Sequence, residues 1–273
     1  FTDFSFKDRV FFRFGKHSVK WGTGYFFSPA DIINTGVIDP ENPTADVEGS
    51  INLRSQIIFP GTQNCLWLYI IPKFSSIYNP ITKEMSVIGF AKNTAFAGKY
   101  EFLVNNYEIG FGAWYAYENP LRISLTASGS LGGKVGVFAE TVFIAQEYET
   151  FGSVFIGTIG FSQSFSKTNI TVASQYLFDN SHALALSFSK SKLGSDKVSL
   201  SLFGLVHYPE ESFENFELDM ISVNSSLSFS YSVASSVSIS AGPYWNYTPA
   251  TFLNPTINDV GLKISTSLGG GKF

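Results

Sequence analysis

Hydrophobic and polar residues alternate one by one along residues 225 to 241, SSLSFSYSVASSVSISA. Leu227, Phe229 and Tyr231 are separated by single serines, and this period of two predicts a β-strand with one apolar and one polar face. Soluble sheets cover their polar face with charged side chains, whereas here that face carries small hydroxyls. Small or polar residues on one face and apolar residues on the other are typical of barrels whose outer surface contacts lipid.

The same alternation recurs through the whole chain and is interrupted by turn residues. It predicts about 14 strands, which is an even number, as closed bacterial barrels usually have. The predicted strands cover residues 8–15, 49–59, 64–74, 95–104, 106–117, 120–128, 134–145, 153–164, 168–178, 183–189, 197–207, 216–233, 236–246 and 256–268.

The connections between these strands fall into two sets. Every second connection is short, and the alternate set contains the longest ones, 16–48 and 75–94. Transmembrane barrels have short turns on one side and longer extracellular loops on the other. Aromatic residues that would suit a membrane interface lie at the long-loop ends of their strands: Tyr115, Tyr117, Tyr176, Phe178, Tyr208, Tyr244, Trp245 and Tyr247.

Composition favours a membrane surface. Charged residues make up 15% of the 273 residues and aromatic residues 16%, against roughly 25% charged residues in a soluble domain. The longest apolar run, Cys65 to Ile71, is far shorter than the roughly 18 residues of a membrane-spanning helix. Because only helices and closed barrels satisfy their backbone in lipid, the chain is predicted to be one transmembrane β-barrel domain, 1–273. A soluble β-sandwich is the structural alternative.

Charged residues of the early strands lie on the polar faces. They are Arg9, Arg13, Arg54, Lys99, Glu101, Glu108, Arg122 and Glu140, and they include all four arginines of the chain. An Arg or Lys on the lipid face near the midplane costs roughly 2 to 4 kcal/mol, so these residues are predicted to line the pore. Two interpretations remain: they orient solutes as charged rings do in other pores, or they pair with one another and fill the interior.

The segment from residue 16 to 50 is too rich in Gly and Pro for a regular strand or helix. Its Trp21, Tyr25, Phe26 and Asp31 are predicted to form a loop constriction if the segment folds inward, although the aromatic residues could instead anchor the loop at the interface. The carboxylates of this segment have no EF-hand-like spacing, so no metal site is predicted.

The stretches RFGKHSVKWG (Arg13 to Gly22) and FFSPADIIN (Phe26 to Asn34) resemble a strand-and-loop signature of porin-like outer-membrane barrels, the alginate-export type and related families of Gram-negative bacteria and spirochaetes. The resemblance implies passage of a solute or a lipid-like molecule. In those families further strands precede the signature. We therefore expect the chain to be cropped at its N-terminus and the intact barrel to have 16 or more strands.

The alternation before Phe273 is similar to the C-terminal strand signal that the barrel assembly machinery reads.

The predicted function is a bacterial outer-membrane channel or passive transporter for small solutes. A transporter of lipid-like molecules and a barrel-anchored surface adhesin are the alternatives. The expected partners are the lipid bilayer, the barrel assembly machinery and the solute. No nucleic-acid partner, cofactor or catalytic residue is predicted, because the 18 basic residues are dispersed and no histidine has a distinctive catalytic setting. The sequence does not indicate the oligomeric state of the protein.

Overall fold

The structure is a computed structural model, and it describes the chain except for residues 35, 37, 44, 46, 73, 74, 80–83, 89–93, 146–153, 210–216, 235, 236, 251–254 and 269–273. The described residues form seventeen strands and one short 3-10 turn, Leu218–Met220. The strands are β1 (Thr2–Phe6), β2 (Val10–His17), β3 (Ser50–Ile58), β4 (Cys65–Ile71), β5 (Ser75–Asn79), β6 (Glu84–Ile88), β7 (Ala95–Val104), β8 (Tyr107–Ala116), β9 (Leu121–Leu131), β10 (Val135–Ala145), β11 (Val154–Phe165), β12 (Ile170–Asp179), β13 (His182–Ser191), β14 (Val198–Tyr208), β15 (Ser222–Ala234), β16 (Val237–Thr248) and β17 (Ile257–Leu268).

Fifteen of the described strands follow one another in a single sheet, in the order β1 to β4 and then β7 to β17. Strands β5 and β6 pair with each other in a separate hairpin. Consecutive strands of the large sheet run antiparallel, so alternate connections lie at opposite ends of the strands. Among the described residues, no helix is long and apolar enough to cross a membrane.

Each of the fourteen predicted strands overlaps a strand of the large sheet, and three strands were missed. The strand-like alternation at the start of the chain was not assigned to a separate strand β1, because Lys7 and Asp8, with φ angles of 51° and 52°, make the turn to β2 without a glycine to mark it. The predicted loop 75–94 is wrong in part, since it contains the five-residue strands β5 and β6. The predicted loop 16–48 begins later than expected, because Lys16 and His17 still pair with β3.

The chain divides into two compact units. The first comprises Phe1–Gly129 and Phe138–Gly157, and the second comprises Ser130–Val137 and Thr158–Phe273. In the first unit β8 shows the faces most clearly: Phe111 and Tyr115 are about half exposed, whereas Trp114 and Ala116 are buried. Apolar side chains thus lie on the exposed face, and small residues and Trp114 lie on the opposite one.

The second unit repeats this pattern. Leu184, Leu186 and Leu202 are exposed, while Ala183 and Ala185 on the other face are buried. Leaving a side chain of this size in water costs about 1.5 to 3 kcal/mol relative to burying it. A continuous exposed apolar face of this kind is suited to contact with lipid and not with water.

Candidate functional site

Residues 18 to 34, which we call the covering segment, connect β2 to the region before β3 and pack on the first unit. Their Val19, Trp21, Ala30 and Ile33 are buried in one apolar cluster. The cluster also contains residues from four strands of the sheet: Tyr69 and Ile71 of β4, Ala95 and Ala97 of β7, Trp114 and Ala116 of β8, and Val142 of β10. The covering segment therefore lies on the sheet face opposite the exposed apolar one, and we call that face the covered face.

Glu140 of β10 binds the backbone of the covering segment. Its carboxylate accepts hydrogen bonds from the backbone N–H groups of Thr23 and Gly24, from the N–H of Ala30 at 3.1 Å, and from the Ser28 hydroxyl at 3.1 Å. The side chain is only 1% exposed. Hydrogen bonds to a charged acceptor are about twice as strong as neutral ones, so Glu140 is a strong attachment point for this segment.

Lys99 of β7 forms a second attachment point. Its ammonium group donates a hydrogen bond of 2.7 Å to the carbonyl oxygen of Trp21 and lies 2.7 Å from Oε1 of Glu101. The other oxygen of Glu101 accepts hydrogen bonds from the Trp67 indole and the Cys65 thiol. Lys99 is almost fully buried, and its charge is compensated by Glu101.

Glycine residues make room for the covering segment. A Cβ atom on Gly112 of β8 would lie 2.9 Å from Cζ2 of Trp21 and 2.5 Å from Oγ of Ser124. A Cβ atom on Gly22 would lie 2.6 Å from Oε1 of Glu140. The absence of side chains at these positions lets the segment approach the sheet closely.

Gly112→Ala is expected to destabilise the protein by about 1 to 3 kcal/mol, because overpacking forces Trp21 or Ser124 to move. The measurement is the midpoint of urea unfolding in lipid vesicles. Gly98→Ala is the matched control, since its Cβ would meet only ordinary contacts, the nearest at 3.4 Å from Leu68. Equal shifts for the two variants would show that the seat of Trp21 is not tightly packed.

Three arginines share one row of the covered face. The register aligns Arg13 with Arg54 and Tyr69, and it continues through Ala97 to Trp114 and Arg122. Arg13 makes a two-point ion pair with Asp3 at 2.7 and 2.8 Å. In the part of the chain that the structure describes, no carboxylate pairs with Arg54 or Arg122, and the Nε–H group of each is buried without an acceptor.

The two unpaired arginines instead stack on aromatic rings. The guanidinium carbon of Arg54 lies 5.3 Å from the centre of the Trp67 ring, and that of Arg122 lies 5.3 Å from the centre of the Trp114 ring. Stacking leaves the N–H groups in the plane of the guanidinium available to an acceptor. Two more buried donors without a partner, the Trp21 indole N–H and the Ser124 hydroxyl, lie at Gly112 on the same face.

The remaining predicted site residues have different positions. Arg9 lies in the exposed turn between β1 and β2, and Glu108 is exposed near the start of β8.

Tyr25 and Phe26 pack edge to face with ring centres 4.7 Å apart, and Phe26 is buried. Asp31 accepts two hydrogen bonds from the Asn34 amide, and burial raises the pKa of its carboxyl to about 6, an effect that the Glu140 charge strengthens.

Of the residues named from the sequence, the structure brings together Trp21, Phe26, Asp31, Lys99 and Glu140 at the covering segment. The residues that contact them were not predicted. Gly112, Ser124, Ser28 and Asn34 were missed as site residues. The signal for Gly112 was its place on the polar face of β8, where two glycines, Gly110 and Gly112, precede Trp114 at alternate positions and leave a hollow.

Two solved outer-membrane porins of Pseudomonas aeruginosa have a similar fold. The crystal structure of OccD3 (OpdP) superposes with a TM-score of 0.53 at 9% sequence identity, over 94% of this chain and 74% of that porin. OccK11 (OpdR) gives a TM-score of 0.58 at 8% identity, over 95% of this chain and 77% of that porin. No protein-family model and no curated protein matches the chain.

These likenesses identify the class of fold. The chain is an all-β protein with the antiparallel up-and-down strand order of porin-like barrels, which confirms the predicted fold class. With identities of 8% and 9%, the likeness concerns the fold and carries no residue role across.

Proposed function

We propose that the protein is a bacterial outer-membrane channel for small solutes, with the covered face lining the lumen and the covering segment narrowing it. The observation that carries this proposal is the placement of the segment, which lies across four strands on the face opposite the exposed apolar surface. In a barrel whose apolar face contacts lipid, the opposite face is the lumen. A segment held there restricts the passage of solutes.

Two unpaired arginines of the covered face support a local preference for anions, whereas the negative charge of Glu140 on that face is bound by backbone N–H groups of the covering segment. The charges of Arg13 and Lys99 are compensated by Asp3 and Glu101, whereas Arg54 and Arg122 keep buried N–H groups without an acceptor. Uncompensated positive charge at a narrow point attracts anions and excludes cations. Of the two interpretations of the charged residues, we propose the solute-facing role for Arg54 and Arg122, whereas Lys99 pairs with Glu101.

Single-channel recording of the refolded protein in a planar bilayer tests the channel. We expect discrete current steps. A bilayer that stays sealed in every salt and at every voltage, with a folded, heat-modifiable protein, would overturn the proposal and favour a surface adhesin or a transporter of lipid-like molecules.

Arg54→Ala and Arg122→Ala are each expected to lower the anion-to-cation permeability ratio several-fold, because each removes an unpaired positive charge from the covered face. The reversal potential in a salt gradient measures this ratio. Arg9→Ala is the control, since Arg9 lies in an exposed turn outside the row. A ratio that is the same in all three variants would contradict the role of the row.

A second function is favoured by a groove of about 510 Å³ on the exposed face. Its lining includes the cross-strand row Leu53, Ile70, Phe96 and Tyr115 and the paired small residues Gly98 and Ala113. Such an apolar groove is suited to an acyl chain, as expected for a lipid-like molecule that leaves through the barrel wall. Bound lipid that survives purification and is lost in Gly98→Leu, together with silent bilayers, would support this function over the solute channel.

A further inference from the structure

Glu140 and Lys99 are two polar side chains of the sheet that attach the covering segment. Glu140 alone binds four of its groups, which are the N–H groups of Thr23, Gly24 and Ala30 and the Ser28 hydroxyl. These groups all lie between residues 23 and 30, so one carboxylate fixes the shape of the segment as well as its place.

The charge of Glu140 is compensated in an unusual way. Within the described residues no cation pairs with it, and its partners are backbone amides and a hydroxyl of the covering segment. If the segment leaves, the Glu140 carboxylate on the covered face becomes accessible to water, which hydrates it well. Breaking an ordinary buried ion pair is costly because it leaves one charge buried without a partner. Loss of the contact to Glu140 does not have this cost, because the carboxylate becomes hydrated.

The fit around this carboxylate is close. A Cβ atom on Gly22 would lie 1.9 Å from Oγ of Ser28 and 2.6 Å from Oε1 of Glu140, so any larger residue would push the segment and the carboxylate apart. The contact thus depends on one side chain from β10 and on one glycine from the segment. Two independent substitutions, on opposite sides of the contact, can therefore break it.

We infer that Glu140 is the positioning residue of the covering segment and that its contact is a releasable latch, so that the segment has a seated form and a released form. This inference rests on the proposed function only in that release would widen the pore. The seated and released forms themselves can be observed without any measurement of current.

The experiment measures whether a thiol on the buried side of the covering segment is accessible. Val19 belongs to the segment and is 3% exposed where it packs against the sheet, and Cys65 is the only cysteine of the sequence. Val19→Cys is introduced into a Cys65→Ala background, and the rate of labelling by a small maleimide is recorded. Thr62→Cys, in the exposed turn between β3 and β4, reports the intrinsic rate of the reagent.

Glu140→Gln and Gly22→Ala are each expected to raise the labelling rate of the Val19→Cys thiol by about tenfold or more, since each removes or weakens several charge-assisted hydrogen bonds. Glu140→Asp should give an intermediate rate, because it keeps the charge but shortens the reach. Glu108→Gln is the matched control: it removes one negative charge from the same face at an exposed position away from the segment, and the rate should stay unchanged.

The outcomes separate the latch from the channel. Fast labelling together with larger current steps supports both. Fast labelling with a sealed bilayer supports the latch and overturns the channel. Rates within about twofold of the parent in both Glu140→Gln and Gly22→Ala overturn the latch, because the loss of several charge-assisted hydrogen bonds would exceed that factor. If Glu140→Gln fails to give a heat-modifiable barrel, Gly22→Ala, which leaves every strand unchanged, decides the question.

Discussion

Replacing Lys99 with methionine is expected to lower the free energy of unfolding by about 3 kcal/mol. The substitution keeps most of the side-chain volume but leaves the Glu101 carboxylate without its cation and the Trp21 carbonyl without its donor. Both groups are largely or fully shielded from water, so neither loss is replaced by hydration. Urea unfolding in lipid vesicles, followed by tryptophan fluorescence, measures the change.

Two further variants establish the cause of this effect. Lys134→Met, in the exposed turn between β9 and β10, removes the same charge and should change stability by less than about 0.5 kcal/mol. Lys99→Met combined with Glu101→Gln should recover part of the loss, because it no longer leaves a charge unpaired. If Lys99→Met is as stable as the parent, the ion pair contributes no net stability.

The covering segment is expected to be held more tightly at pH 4 than at pH 7, by up to about a hundredfold in the equilibrium between its seated and released forms. Burial in the seated form raises the pKa of Asp31 from 3.8 to about 6. An acid whose pKa is raised is stabilised in its protonated form, so the seated form is favoured below about pH 4 and this contribution is lost as the pH rises through about 6. About two pKa units correspond to a factor of about 100.

The groups around Asp31 are consistent with a raised pKa of its carboxyl and with a seated form that is favoured at low pH. Glu140 of β10 repels the ionised carboxylate, and Asn34 partly offsets that effect by donating hydrogen bonds to it. The labelling rate of Val19→Cys, divided by that of Thr62→Cys at each pH, should rise between about pH 4.5 and pH 7, and the open probability of the channel should rise with it. In Asp31→Asn both should be independent of pH in this range. A steep pH dependence that persists in Asp31→Asn would assign the effect to another group.

The sequence was sufficient to predict the strands, because alternation is a local signal that each strand carries by itself. In β8 it placed Trp114 opposite Phe111 and Tyr115, as the structure does. The turn at Lys7 and Asp8 was missed because both residues adopt positive φ angles without a glycine to mark them. β5 and β6 pair only with each other, and so short a run of alternating residues is a weak signal.

The sequence singled out several residues that lie together at the covering segment, but it did not indicate their contacts. Glu140 and Lys99 stood out as charges on polar faces, and Trp21 and Asp31 as members of an irregular segment. The partners of Glu140 are backbone amides, which every sequence contains, so no side-chain pattern could indicate them. Arg54 and Arg122 likewise looked equivalent to Arg13, since the ion pair that distinguishes Arg13 depends on Asp3 in the unpredicted strand β1.

The distance along the chain between Glu140 and its partners has a consequence for the order of assembly. The three amides that it binds lie 110 to 117 residues away in sequence, whereas most strands of the sheet pair with a neighbour across a short turn. Contacts between residues close in sequence form sooner than contacts that close so long a loop. During assembly of the first unit, hairpins between neighbouring strands therefore form before the covering segment reaches Glu140, and the segment is seated late.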